Sequence, residues 1–429
     1  MNITILTIGT WGDVIPYIAL SHGLIKAGNN VKIAAPINFE TAIKKHNIAY
    51  EPIGFDFQEY LNSKDCKDAL SGNFFAMIRH QKNFLNRRKE MLDDAWKAAQ
   101  DSDVIIYNPL FSPAYHIAEK LNILAIMVSV SPWLAPTSEF PYLFIATSSL
   151  GSFLNRFSYN AYHLATDAEQ KYIAPWCEQT LKIKAPKRFM NYLYRGNSPV
   201  PILYLYSPNL VPIPSDWSED ICVSGYWSLD QKEIWEPPES LENFLKAGEP
   251  PVYVGFGSIL SSDPKYLTNV VVDALKQSGE RGIVATGWGA MNEIEKSTDS
   301  IYFIDSVPHE WLFPRMKAIV HHGGAGTTCT GLRYGKPTLA CPMTTDHWFW
   351  ANRICKLGVG PPYISQWPWK KMKACELSAA IKTLVTDKKM KTKAEELGNK
   401  LSKEDGISNA VDFIIRQKEK WDKKGEIFC

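Results

Sequence analysis

Short apolar runs recur along this chain, each ending in a small or polar residue and each followed by a helical segment. They come in two separate trains, and that recurrence restricts the fold more than any other feature. In the first train, Ile3–Ile8, Val31–Ala35, Asn47–Tyr50, Val104–Tyr107 and Ile123–Val128 read as strands. The helix after the first of them, Val14–Ala27, carries apolar residues at Ile18, Leu24 and Ile25 and stops at Gly28. In the second train, Val252–Phe256, Gly282–Thr286, Ile301–Ile304, Lys317–Val320 and Lys336–Pro342 repeat the pattern. Strands separated by helices imply parallel sheets with right-handed crossovers, an α/β architecture in two units. The stretch between the trains, Ser207–Pro251, is rich in proline and lacks periodicity, so it reads as a linker holding one strand near Ile221–Ser224. Lysine-rich helices at Leu377–Val385 and Met390–Leu401 follow the second train, and a last helix near Ile407–Lys418 closes the chain.

The bulk composition narrows the function classes. At 429 residues, 45% hydrophobic and 21% charged, the chain can build two or three ordinary cores. A net charge of +2 gives no reason to expect nucleic acid. The eight cysteines form no CxxC pair and no zinc spacing, which suits a reduced, cytoplasmic protein. The first residues enter a strand without a basic leader, and no apolar run is long enough to span a bilayer. Asn73–Trp96 places Arg79, His80, Lys82, Arg87, Arg88 and Lys89 among aromatic and aliphatic residues. It reads as an amphipathic helix whose basic face is either solvated or in peripheral contact with a membrane. Ser131–Tyr172, rich in Phe, Tyr and Leu, suits the lining of a wide apolar cleft.

The chemistry concentrates in His321-His322-Gly323-Gly324-Ala325-Gly326-Thr327-Thr328. This stretch joins a buried strand to a helix. Its glycines let backbone N–H groups approach a bound group, and the helix start behind them favours negative charge. Thr327, Thr328 and the histidines add donors, so the loop reads as a diphosphate cradle. No Gly-Lys-Ser/Thr follows, so it is not a Walker A loop, and it is not a GxGxxG fingerprint. The competing reading is a plain turn with glycines for tight packing. Against that, Thr344-Thr345-Asp346-His347-Trp348 ends the next strand, at the sheet end where α/β folds bind ligands. A cradle beside a carboxylate suits a phosphate attached to something rich in hydroxyls.

Gly9-Thr10-Trp11-Gly12-Asp13-Val14-Ile15-Pro16 resembles the "GTRGDVxP" signature of glycosyltransferases with the GT-B fold, in the UDP-glycosyltransferase superfamily. Val307-Pro308-His309 through Pro342 resembles their donor-binding box, and the branch is that of sterol glucosyltransferases and antibiotic glycosyltransferases. The resemblance covers nearly the whole chain, as a catalytic unit without the long N-terminal extension of some fungal sterol enzymes. It implies two Rossmann-like domains facing across a cleft: an acceptor-binding domain at 1–206, a linker at 207–250, a nucleotide-sugar domain at 251–405, and a helix at 406–429 crossing back to the first domain. It also implies inversion at the anomeric carbon, with no cofactor and no bound metal. Backbone amides, histidine and hydroxyls then stabilise the departing diphosphate.

Carried over residue by residue, Asp13 matches the general base. The competing reading for Asp13 is a helix cap; His22 and His116 are rival bases that fall on no family position. His322, Gly324, Gly326, Thr327 and Thr328 match the diphosphate contacts, with Gly12 and Ser258 beside them. Val307 and His309 match positions that meet the nucleotide base. Ser306 stands where plant relatives stack a tryptophan. Asp346 and His347 match an acidic–glutamine pair that holds the sugar hydroxyls, with His in place of Gln and Thr344-Thr345 in place of Phe-Gly. The implied reaction moves a hexose, glucose from UDP-glucose or a related UDP- or TDP-sugar, to a hydroxyl of an apolar acceptor such as a sterol, terpenoid or polycyclic natural product. The alternatives are a non-catalytic nucleotide-sugar-binding protein and a sugar-nucleotide epimerase on the same fold.

Overall fold

The computed structural model describes residues 1–63, 87–186, 191–196, 198–229, 235–258, 261, 263–291, 297–343, 346–365 and 371–427. The first train supplies β1 (Asn2–Leu6), β2 (Asn30–Ala35), β3 (Ala49–Pro52), β4 (Val104–Tyr107) and β5 (Leu124–Ser129). A small antiparallel ribbon, β6 (Tyr194–Arg195) with β7 (Ser198–Pro199), stands apart. Two further strands, β8 (Ile202–Tyr204) and β9 (Ile221–Val223), complete a sheet in the order β3-β2-β1-β4-β5-β8-β9. All its pairings are parallel. The second train supplies β10 (Val252–Gly255), β11 (Gly282–Ala285), β12 (Ile301–Ile304), β13 (Ala318–His321) and β14 (Thr338–Ala340). They form a second parallel sheet in the order β12-β11-β10-β13-β14.

The two sheets share one winding. Each runs outward from its first strand in one direction and then in the other. The order therefore reverses between β1 and β4 in one sheet and between β10 and β13 in the other. Open α/β sheets bind ligands beyond the carboxyl ends of the strands at such a reversal. The positions of two half-sites thus follow from topology alone.

The stretch 207–250, read as a linker, divides between the units. Its first part belongs to the first sheet: β9 pairs with β8, and Trp227 and Leu229 are buried with Ile3, Ile5 and Leu20. Its last part belongs to the second: the helix Glu239–Lys246 buries Leu241 and Phe244 against Tyr253 and Ile283. Three-residue strands between prolines carry no readable period, and pairing with Met127–Ser129 is what makes Ile202–Tyr204 a strand.

The C-terminal helix Gly406–Ile427 lies on the helix Trp11–Lys26 of the first unit. A Cβ at Gly23 would stand 2.3 Å from Ile407 Cγ2, so only glycine lets the two helices meet this closely. Phe413 and Ile414 are fully buried in the same cluster as Ile3 and Ile5, each contributing about 1.5–3 kcal/mol.

Of the basic stretch Asn73–Trp96, Arg79, His80 and Lys82 lie outside the described residues. A helix covers residues 87–98. The structure corrects the expected basic face at Arg88, which is buried and ion-paired with Glu169 at 3.0 Å. A guanidinium taken out of water needs such a partner, so this charge serves the interior. The Arg87 guanidinium sits 4.8 Å above the Phe55 ring. No described helix is long and apolar enough to cross a membrane.

Candidate active site

The first half-site lies at the carboxyl end of β1. The chain leaves the strand through Gly9, at φ +127°, and enters the helix Trp11–Lys26 with Asp13 in its first turn. The Thr10 backbone N–H donates to Asp13 Oδ2 at 2.8 Å, and the Thr10 hydroxyl donates to the same oxygen at 3.3 Å. Asp13 therefore does cap the helix, but capping uses one carboxylate oxygen and leaves Oδ1 for a proton. The carboxylate folds back over Gly9, where a Cβ would lie 2.3 Å from Oδ2. Burial pushes the Asp13 carboxyl up from its ordinary 3.8 to about 6; the Thr10 hydrogen bonds oppose the rise, and the charge of Asp346 adds to it. Gly12 beside it is exposed, and an added Cβ there would make only an ordinary contact with Thr10 Oγ1 at 3.8 Å. Among the rival bases, His116 is fully buried in hydrogen bonds with Glu119 and Gln170, and His22 pairs with His46 at the surface.

The second half-site lies at the carboxyl ends of β10, β11 and β13. The His322 ring rests over two glycines: a Cβ at Gly324 would meet its Nε2 at 2.3 Å, and one at Gly257 its Cε1 at 2.8 Å. Gly324 ends in extended backbone, and the helix Ala325–Arg333 starts immediately after it. Gly324, Gly326 and Thr327 are partly open to solvent. His321 is fully buried and its Nδ1 accepts from the Gly323 N–H at 2.9 Å. That bond fixes the turn and leaves His321 Nε2 without a partner, as His322 Nδ1 also is. Buried polar atoms are usually satisfied, so an unpaired nitrogen beside a glycine turn is what an anion's oxygen would complete. Burial holds the His322 imidazole down to about 3, with His347 adding to the effect, so it is a neutral donor at neutral pH.

Thr328 differs from the expected diphosphate contact. It is fully buried, and its hydroxyl donates back to the Gly324 carbonyl at 2.9 Å. It shapes the cradle from behind, while Thr327 is the threonine left on the open side, because a helix turns successive side chains by about a quarter circle or more.

The remaining donor-side positions gather around this turn. Ser258 follows Gly257, which is at φ +65°, and is partly exposed. Val307 is nearly buried, and Ser306 beside it is exposed. His309 stacks on Phe313 at 4.3 Å and shares a 3.3 Å hydrogen bond with the Tyr253 hydroxyl, so its ring faces the domain interior. His347 is buried, its ring 4.8 Å from that of His322, and burial pushes it down to about 4. Thr344 and Thr345 lie outside the described residues.

The two half-sites face one another. Ser131, on the loop after β5 in the first unit, donates to Asp346 Oδ2 of the second unit at 2.5 Å. The same Ser131 oxygen accepts from Trp350 Nε1 at 2.9 Å. Trp288, after β11, lies 6.1 Å from Phe39, which in turn lies 5.1 Å from Trp11. The turn that carries Asp13 and the glycine turn at 322–326 thus close on a common cleft. Among the described residues, no group of three or more His, Cys, Asp or Glu is placed to hold a metal ion.

The sequence had marked Asp13, the cradle and the Asp346–His347 pair, and the fold brings these together. It had not marked Gly9, Thr7, Asn108 or Ser131 as site residues. Gly9 carried a signal, since a glycine in the turn just past a strand end often marks a positive φ. Ser131 carried none, because its partners Asp346 and Trp350 lie more than two hundred residues away.

Comparison with known proteins agrees with this arrangement. Residues 3–138 match the glycosyltransferase family 28 N-terminal domain, and residues 269–408 match the erythromycin biosynthesis protein CIII-like C-terminal domain. A sterol 3-beta-glucosyltransferase of Pichia angusta is 36% identical over 97% of this chain, which spans 33% of that protein. One from Arabidopsis thaliana is 34% identical over 97% of this chain, which spans 65% of it. The chain thus spans about a third of the fungal relative and about two thirds of the plant one. Among solved structures, the glycotransferase of kitacinnamycin superposes with a TM-score of 0.66 at 18% identity, covering 97% of this chain and 98% of that one. The glycosyltransferase VinC in complex with dTDP superposes with a TM-score of 0.63 at 16% identity, covering 98% and 100%. These likenesses establish the shared two-domain fold.

Proposed function

We propose that this chain, a member of the UDP-glycosyltransferase superfamily of GT-B fold, is an inverting, metal-independent hexosyltransferase of the kind its sterol and antibiotic glycosyltransferase relatives represent. The observation that carries this reading is the meeting, in one cleft, of a carboxylate raised toward neutrality and a glycine turn with an unpaired histidine nitrogen. A nucleoside diphosphate sugar would lie with its diphosphate on the backbone N–H groups of Gly324 and Gly326, the Thr327 hydroxyl and His322. Asp346 and His347 would hold the sugar. Val307 and His309 would border the base through their backbone.

In the reaction, the acceptor oxygen forms a bond to C1 of the sugar as the bond from C1 to the diphosphate oxygen breaks. The acceptor proton passes to Asp13. Attack opposite the leaving group inverts C1. A carboxyl near pH 6 is a stronger base than an ordinary aspartate and is still mostly ionised at neutral pH, which suits this transfer. The departing negative charge falls on preorganised donors in a partly dry cleft, where each hydrogen bond is stronger than in water.

The acceptor is an apolar molecule bearing a hydroxyl. What supports a sterol-like acceptor is the name of the relatives, sterol 3-beta-glucosyltransferase, together with the aromatic cluster beyond Ser131, where Trp133 packs edge to face on the buried Tyr142 and Tyr162. Glucose from UDP-glucose is the proposed donor.

Calorimetric titration without metal tests the donor site, using UDP, TDP, UDP-glucose and UDP-N-acetylglucosamine. Micromolar binding of one nucleotide, weakened by about 10–100-fold in His322→Ala, is the expected result. Binding untouched by His322→Ala would place the diphosphate elsewhere.

A further inference from the structure

We propose that Asn108 and Thr7 form a positioning pair that aims the Asp13 carboxylate, so that Asn108 governs turnover without touching substrate. Asn108 follows β4, at the reversal in strand order where Asp13 follows β1. It is nearly buried, and its side-chain amide is spent on two bonds to the base-bearing loop. Its Nδ2 donates to the Ile8 carbonyl at 2.7 Å and to the Thr7 hydroxyl oxygen at 3.0 Å. The Thr7 hydroxyl, itself fully buried, donates onward to the Asp13 carbonyl at 2.6 Å. A chain of hydrogen bonds therefore runs from β4 through the turn to the backbone of Asp13.

The pair adds to the two backbone bonds that hold this turn, from the Asp13 N–H to the Thr10 carbonyl at 2.9 Å and from the Thr7 N–H to the Ala34 carbonyl at 3.0 Å. Gly9 brings positive φ and no side chain, and the Asp13 carboxylate lies directly over it. A glycine there leaves the carboxylate room to move unless the backbone on both sides is pinned. The Thr10 N–H pins the carboxylate, Asn108 pins Ile8, and Thr7 pins the Asp13 carbonyl.

Among uncharged side chains only an amide meets both demands of this position. Ile8 offers a carbonyl and Thr7 offers a hydroxyl oxygen whose own hydrogen is committed to Asp13. The partner must therefore donate twice. An aspartate would turn lone pairs against the Ile8 carbonyl and set a second charge beside Asp13. The Asn108 Oδ1 is buried with no partner. An unpaired buried oxygen is unfavourable, and an apolar side chain would avoid it, so the donor side must be what the position serves.

The inference rests on the reading of Asp13 as the base, and its test reads Asp13 with and without turnover. Asn108→Ala, Thr7→Val and Thr7→Ser are compared with the wild-type chain in steady-state transfer, donor binding and thermal melting. In parallel, the Asp13 carboxyl is followed by NMR with 13Cγ-labelled aspartate, its signal identified by its loss in Asp13→Asn. Asn108→Ala and Thr7→Val should lower kcat by about 10–100-fold. Donor affinity should stay within about twofold, because the cradle is untouched. Thr7→Ser keeps the hydroxyl and should restore kcat. Since burial is the main cause of the raised Asp13 carboxyl, loosening the turn should drop its midpoint from about 6 toward 3.8 and move the acid limb of kcat/KM with it.

An Asp13 midpoint and kcat unchanged in Asn108→Ala and Thr7→Val would overturn the positioning role, as would a Thr7→Ser variant as impaired as Thr7→Val. If Asn108→Ala fails to fold, the Thr7 pair decides alone. A wild-type protein that transfers no sugar would refute the proposed function, and the NMR titration would still decide whether Asn108 and Thr7 control the carboxyl.

Discussion

Replacing Asp13 with asparagine should move activity and stability in opposite directions. Asparagine keeps an oxygen for the Thr10 N–H and changes little in volume, but it cannot accept the proton of an acceptor hydroxyl. In the folded chain the Asp13 carboxyl is raised from 3.8 to about 6, mainly by burial. The fold thus favours the neutral carboxyl, and the ionised form destabilises it. That destabilisation is fully present above about pH 6 and disappears below 3.8, where the carboxyl is neutral both folded and unfolded. The rise corresponds to about 3 kcal/mol. Asp13 keeps partial contact with solvent, and screening reduces the expected gain to about 1–2 kcal/mol. Urea unfolding of wild type and Asp13→Asn at pH 8 and near pH 4 measures it. The variant should be more stable by that amount at pH 8 and equal to wild type near pH 4. Sugar transfer should fall by about 10²–10⁴-fold, with nucleotide affinity unchanged. A variant less stable at pH 8, or equally stabilised at both pH values, would refute the burial argument; one with full transfer would refute the base.

The acid limb of kcat/KM should fall off below about pH 6 as Asp13 takes up a proton, and should vanish from whatever activity remains in Asp13→Asn. Gly9→Ala should impair transfer nearly as much as Asp13→Asn and destabilise the first unit by about 1–3 kcal/mol, since φ is +127° and the new Cβ meets Oδ2; melting and turnover read both effects. Ser131→Ala removes the hydroxyl shared by Asp346 and Trp350 and should raise the donor KM by about 10-fold while leaving the acid limb in place. A KM equal to wild type would mean that Asp346 is held well enough without Ser131.

Much of the fold was readable because buried parallel strands are continuous apolar runs, as in Val104–Tyr107 and Ile301–Ile304, whose limits the structure reproduces. Ile202–Tyr204 and the ribbon Tyr194–Arg195 with Ser198–Pro199 escaped, because two or three residues hold no period, and Ile202–Tyr204 is a strand only through its pairing with the distant Met127–Ser129. In the candidate site, the placement of Asp13 and His322 at strand ends was legible because each sits in a compact signature beside glycines that only a close approach explains. Thr328 was misread for a local reason: it is one step around the helix from Thr327, and sequence does not say which of two adjacent hydroxyls turns inward. Arg88 was misread because a charge run does not reveal that Glu169, on another helix, lies within reach of its guanidinium. Asn108 stands at a strand end with no neighbour to mark it, and its role depends on β4 lying beside β1.

Inverting transfer of a hexose to an apolar alcohol leaves a product whose anomeric configuration can be read directly. The purified chain is incubated with UDP-glucose and a sterol dispersed in detergent, without metal, and the lipid extract is examined by mass spectrometry and by proton NMR of the anomeric centre. The expected product is a sterol hexoside with the β configuration, formed from the α-configured donor and absent with Asp13→Asn. An α-linked product would contradict inversion. A chain that binds the nucleotide yet forms no glycoside with any sterol or polycyclic alcohol, from UDP- or TDP-sugar, would contradict the transfer itself.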